Sequence, residues 1–265
     1  SIGAGDLTYV GQEGNVDHSA WGVSVSSDGA VYVADTWNHR VVKYVNGRQR
    51  ATFGQFGNPS SASVDLEMVF GPRDIAVGLE GNLFVTDTGN DRIIVLTPDL
   101  APIRAIGGSG IDLGQFDEPT SVAFDPETGD LYVADQWNFR IQRFDRDLNA
   151  VAQWAVDGWE SQEAAHKAYI ACRAGLVVVS DPAAQRVWVF DRDGKTLATL
   201  DLPADSRGLD QPIGVEVDEQ GRIYVASSNS RLVTRYAPLA ELTAPGEGAE
   251  AAAEAEPGDA EEGVG

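Results

Sequence analysis

One short unit recurs five times in this chain, and a recurring unit restricts the fold more than any other feature of it. VYVADTWNHRVVKY (31–44), LFVTDTGNDRIIVL (83–96), LYVADQWNFRIQRF (131–144), LVVVSDPAAQRVWVF (176–190) and IYVASSNSRLVTRY (223–236) are the five copies. Each has a run of alternating β-branched or aromatic residues, a polar turn of five or six residues, and a second such run, which reads as a hairpin. Aligned on Arg40, Arg92, Arg140, Arg186 and Arg231, the copies stand 52, 48, 46 and 45 residues apart.

The unit extends beyond the hairpin on both sides. A short strand and a Gly-bearing turn precede it at WGVSVSSDG (21–29), RDIAVGLEG (73–81), TSVAFDPETG (120–129) and IGVEVDEQG (213–221). A fourth strand follows it at RATFG (50–54), IRAIG (103–107), VAQWA (151–155) and TLATL (196–200). Four-stranded antiparallel meanders repeated at this period bury their faces by packing radially on one another. The expectation is therefore an all-β, five-bladed antiparallel β-propeller over residues 1–238, with a six-bladed ring as the alternative. The fifth unit runs out after three strands. DLTYVGQEG (6–14) resembles the fourth-strand pattern, so an N-terminal strand at Leu7 to Val10 is expected to complete the last blade and remove an open sheet edge.

Residues 239–265 read differently. This stretch carries eight acids, no base and no aromatic, and its apolar content is almost all alanine. It is expected to be a disordered acidic tail, because it cannot bury enough surface to offset its ordering entropy. The whole chain has 41 acids and 19 bases, a net charge of -22, and the portion before the tail is still acidic. Such a surface repels phosphate backbones, so no nucleic-acid partner is expected. No apolar run approaches the roughly 20 residues of a membrane-spanning helix, so no direct membrane insertion is expected. The single cysteine, Cys172, sits in an apolar strand and reads as a buried, inert thiol. Beginning at Ser1 with no basic-then-apolar segment, the chain reads as a processed protein or an excised domain, and as a monomer.

DTWNHR, DTGNDR and DQWNFR, with the approach GQFDEPTSVAFD (114–125), resemble the NHL repeat, and the resemblance extends over most of the chain. Unit four departs from it with DPAAQR (181–186), which lacks the Asn. Unit five departs with SSNSR (227–231), which lacks the Asp and reads as one residue short. The repeated Asp35, Asp87, Asp135 and Asp181, with Arg40, Arg92, Arg140 and Arg186, are expected to be structural. An Asp ending a strand can accept hydrogen bonds from the backbone of the next turn, and an Arg five residues on returns a charge to it.

Function is then sought in what does not repeat. The resemblance implies three classes: scaffolds that bind protein, peptide or glycan, RNA binders with a basic face, and metal enzymes of the gluconolactonase or peptidyl-hydroxyglycine lyase type. The metal enzymes are the alternative reading. Their chemistry needs several convergent ligands, and His18, His39 and His166 occupy unlike positions in the repeat. At the inner-strand entrances, Arg73 with Asp74 is the one charged pair. No catalytic residue, metal site or cofactor is assigned. Trp37 and Trp137 share one turn position, with Gly89 at that position between them, and Asn38, His39, Asn138 and Phe139 lie beside them. Either each Trp seals a seam between blades, or the pair flanks a depression over Gly89 that seats a peptide or sugar. Arg73 and Asp74 would orient a polar group at the channel mouth. Trp154 and Trp188 lie within strands and should be core, whereas Trp159, in an insertion, fits either role. Together these readings give a non-catalytic binding module, displayed outside the cytoplasm by analogy with the family.

Overall fold

The computed structural model describes residues 20–58, 65–159, 167–201, 211–228 and 231–242. Five antiparallel sheets follow one another in sequence and stand in a ring, making a five-bladed β-propeller. Blade 1 is β1 (Gly22–Val25), β2 (Val31–Asp35), β3 (Arg40–Val45) and β4 (Arg48–Phe53). A short parallel pair, β5 (Gln55–Phe56) and β6 (Met68–Val69), leads to blade 2: β7 (Pro72–Val77), β8 (Leu83–Asp87), β9 (Arg92–Leu96) and β10 (Pro102–Gly107). Blade 3 is β11 (Pro119–Phe124), β12 (Leu131–Asp135), β13 (Arg140–Phe144) and β14 (Ala150–Ala155). Blade 4 is β15 (Ile170–Arg173), β16 (Leu176–Asp181), β17 (Arg186–Asp191) and β18 (Thr196–Asp201). Blade 5 has three strands among the described residues, β19 (Pro212–Val217), β20 (Ile223–Ser227) and β21 (Leu232–Tyr236).

Alternation puts successive side chains on opposite faces of each sheet, and each face meets a neighbouring blade. Ile75, Leu83 and Val85 of blade 2 pack on Tyr32, Val41 and Phe53 of blade 1. Val122, Val133 and Phe144 of blade 3 meet the opposite face of blade 2 at Phe84, Ile93 and Val95. The same relation joins blade 3 to blade 4 and blade 4 to blade 5. Trp188, Cys172 and the insertion residue Trp159 are buried in the seam between blades 3 and 4, where Trp154 packs half-buried against the same cluster. Burial holds the Cys172 thiol well above its ordinary pKa. At the blade 5 and blade 1 seam the described residues pack less well: Val23, Val25 and Val233 remain more than 60% exposed, although Ile75 and Val122, which match Val23 in register, are buried.

The unit-five turn needs a correction. Ser227 pairs with Leu232 as Asp35 pairs with Arg40, so the turn has full length and Leu232, not Arg231, holds the arginine position. Arg231 occupies the left-handed position (φ 56°) taken by His39, Asp91 and Phe139 in the first three units. The N-terminal strand proposed to complete blade 5 lies outside the described residues, as does the tail beyond residue 242. Leu239–Leu242 form one helical turn, and Leu239 packs on the blade 4–blade 5 cluster.

Candidate functional site

The repeated turn fixes which loops gather on one face. Asp87 accepts a 2.7 Å hydrogen bond from the Phe70 amide, and Asp135 one of 2.9 Å from Asp117. The approach to each of these inner strands is thereby tied to the hairpin behind it. Arg40, Arg92 and Arg140 reach their aspartates at 2.6, 2.8 and 2.7 Å. Arg92 and Arg140 also donate to the approach loops, at Asp65 and Met68 in blade 2 and at Ile111, Asp112 and Gln115 in blade 3. The structural role expected of these residues is present, but the carboxylates of Asp87 and Asp135 receive the preceding loop and not the backbone of their own turn. In blade 4, Asp181 does accept from its own turn, at the Ala184 amide.

Inside that fastened face the five inner strands surround a channel of about 780 Å³. Near its mouth, equivalent register positions carry Gly22, Asp74, Ser121, Tyr169 and Gly214. Glycine at 22 permits close contact, since a Cβ there would lie 2.6 Å from the Arg73 carbonyl. Asp74 is half-buried and accepts hydrogen bonds from the Ser121 hydroxyl, the Val122 amide and its neighbour Ile75. Burial outweighs those bonds and pushes its pKa up to about 6. Deeper in the channel, Glu216 is also raised by burial.

Arg73, one residue before Asp74, lies with its guanidinium carbon 3.9 Å from the Trp21 ring centroid. Its electrostatic neighbours are Tyr169, Glu118 and Asp74, yet buried Nε and Nη1 have no hydrogen-bond acceptor. Burial lowers its pKa, the nearby acids opposing. Beside it, Glu118 accepts from Trp137 Nε1 at 2.8 Å and Lys167 Nζ at 3.1 Å, while Lys167 sits 4.9 Å from the Trp137 ring centroid. Trp21, Arg73, Glu118, Trp137, Lys167 and Tyr169 thus form one polar and aromatic cluster drawn from four blades. Apart from Trp137, whose position Trp37 shares in blade 1, none of these residue types repeats at its position in the other blades.

Trp37 and Trp137 do share a turn position and face, in short 3-10 turns at Thr36–Asn38 and Gln136–Asn138. The depression expected over Gly89 is filled, because Phe70 covers it: a Cβ on Gly89 would lie 2.5 Å from the Phe70 ring. Asn38 and Asn138 are consumed by the turn, donating to Asp35 and Asp135 at 2.9 and 3.0 Å. His39 accepts from the Gly71 amide through Nδ1 and packs against Phe56 and Phe70, with centroids 4.6 and 5.6 Å away; burial lowers its pKa. Trp37 is 46% exposed and Phe139 is 37% exposed. Sequence reasoning missed Phe56 (65% exposed), Phe70, Ile111 and Leu113, which are also exposed here. The available signal was their position in the long, non-repeating approaches to blades 2 and 3. A smaller depression of about 470 Å³ lies beside Asn138, Phe139 and Trp154.

A metal centre does not fit the described residues: no three His, Cys, Asp or Glu side chains converge, and the oxygens of Asp74 are occupied by Ser121, Val122 and Ile75. His18 and His166 lie outside the described residues.

Residues 18–44 and 116–144 match the NHL repeat, so the chain carries the repeat that its turns resemble. Over 231 residues, 82% of this chain, it is 27% identical to peptidyl-glycine alpha-amidating monooxygenase A of Xenopus laevis, of which it spans 24%. It is 26% identical to human NHL repeat-containing protein 3, with 88% of this chain and 76% of the relative covered. Among solved structures, a streptogramin B lyase superposes with a TM-score of 0.60 at 15% identity, covering 83% of this chain and 66% of the lyase. That similarity shows the fold. The chain spans about a quarter of the length of the amidating monooxygenase it resembles.

Proposed function

We propose, from a five-bladed propeller carrying NHL repeats, that this chain is a non-catalytic binding module whose turn face takes a protein or an extended peptide. One observation carries the reading. Trp37, Phe56, Phe70, Ile111, Leu113 and Phe139 all stand exposed on the turns, loops and short β5 strand of that face, which the Asp and Arg fastenings hold in place. Exposed large apolar side chains gathered on one side of a soluble fold mark interaction surfaces, and aromatic residues dominate binding energy at such surfaces. A glycan is a second possible ligand for the same rings. Display outside the cytoplasm remains part of the proposal through family analogy, and fractionation of cells expressing the full protein tests it.

The metal-enzyme reading draws support from the name of the amidating monooxygenases that the chain resembles and from no ligand set among the described residues. Selection of peptides displayed on phage tests the binding reading. Enriched peptides should lose binding to a Trp37→Ser, Phe56→Ser variant whose circular dichroism is unchanged. Enrichment that survives those substitutions would contradict it.

A further inference from the structure

Arg73 is an unusual residue for so acidic a chain: a mostly buried guanidinium with no carboxylate at ion-pair distance and two nitrogens lacking an acceptor. Its contacts with Tyr169 and the Trp21 ring leave Nε and Nη1 unsatisfied, and charged donors left so away from water are costly, so the position calls for a further acceptor. The nearby acids are already engaged. Glu118 is held by Lys167 and Trp137, and Asp74 by Ser121, Val122 and Ile75. Trp21, Asp74 and Tyr169, the residues around the guanidinium, line the channel cavity, and Arg73, part exposed, stands directly behind them.

We propose that the channel mouth is a carboxylate-binding site, with Arg73 as the anchoring cation and Trp21 and Tyr169 as walls for the atoms that carry the carboxylate. Guanidinium matches a planar carboxylate in shape and charge. A singly charged group suits the site better than a phosphate dianion, because Glu118 and Asp74 stand close and would repel a second negative charge. The cavity has room for a residue-sized ligand, so a C-terminal carboxylate or an acidic side chain of a peptide is the ligand class. This deepens the reading of the face as a peptide surface and rests on it, but small probes test it separately.

The probes are N-acetylphenylalanine, its amide, and inorganic phosphate, titrated into the full chain while the Arg73 Nε–H resonance is followed by NMR. The free acid should move that resonance and bind about tenfold or more tightly than the amide, as expected when one charge-assisted contact is lost. Arg73→Gln should abolish acid binding, and Arg73→Lys should retain part of it; Arg48→Gln, on an exposed outer strand, should change nothing. Equal binding of acid and amide, no binding of the acid, or acid binding that persists in a folded Arg73→Gln protein would overturn the proposal. Phosphate binding more tightly than the acid would overturn the carboxylate assignment. These outcomes leave the aromatic-face reading to its own test, since neither Trp37 nor Phe56 is altered.

Discussion

Asp135 and Arg140 meet at 2.7 Å across the first pair of the blade 3 hairpin, and both are buried. The carboxylate also receives Asn138, Gln142 and the Asp117 amide, and the guanidinium reaches Ile111, Asp112, Gln115 and Gln153. Burial raises the Asp135 pKa in spite of these bonds, so the pair is not in itself a large net gain. Its consequence is positional, because it fastens the loop carrying Ile111 and Leu113 to the hairpin carrying Trp137 and Phe139.

Removing one partner should be worse than removing both. Asp135→Ala strands a buried guanidinium and should cost roughly 3 kcal/mol. The Asp135→Ala, Arg140→Ala double variant should cost less than the sum of the two single ones. Urea unfolding of the four proteins measures this, and strict additivity would show that the pair is not coupled.

Two tryptophans should behave in opposite ways. Trp159, fully buried, should cost roughly 3 to 5 kcal/mol on truncation to alanine. Trp37, 46% exposed, should cost about 1 kcal/mol or less. Thermal melts of both variants decide it; a loss of several kcal/mol at Trp37 would place that ring in a seam.

Asp74 should make stability depend on pH in the direction opposite to an ordinary ion-paired carboxylate. Its pKa is raised from 3.8 to about 6 on folding. Its contribution is therefore fully present below pH 4 and lost as pH rises through 6, an effect of roughly 3 kcal/mol. Asp74→Asn, which cannot ionise, should gain on the wild type as pH rises from 4 to 6 in urea unfolding and hold that gain above it. A difference between the two proteins that is constant with pH would contradict the burial of a titrating carboxyl there.

The blades were legible because β-strand alternation and a conspicuous turn are local properties that the period repeats. Arg40, Arg92 and Arg140 were legible for the same reason. The role of Phe70 was not, since its contact with Gly89 joins residues from a non-repeating approach and a repeated turn, and no periodic signal links them. Arg231 was misaligned because an arginine beside the turn imitates the motif. Only the pairing of Ser227 with Leu232 reveals its left-handed position. The Arg73 cluster was half visible: its charge at a channel entrance could be read, but its contacts with Trp21 and Tyr169 depend on how neighbouring blades abut.

Gly89→Ala tests the filled depression. The added methyl group meets the Phe70 ring and should displace it, weakening the packing of Phe70 with Phe56 and His39. Aromatic NMR shifts of Phe70 and Phe56 should move while those of Phe144 in the blade 2–blade 3 seam stay fixed. Unmoved Phe70 shifts would mean that the ring does not lie on Gly89.

The central claim, that the turn face is the binding surface, is tested most directly by hydrogen exchange with and without a selected peptide. Protection should gather at residues 36–39, 55–58, 68–71, 108–118 and 136–139. Protection confined to the turns of the opposite face, at 26–30, 78–82, 125–130 and 145–149, would contradict it.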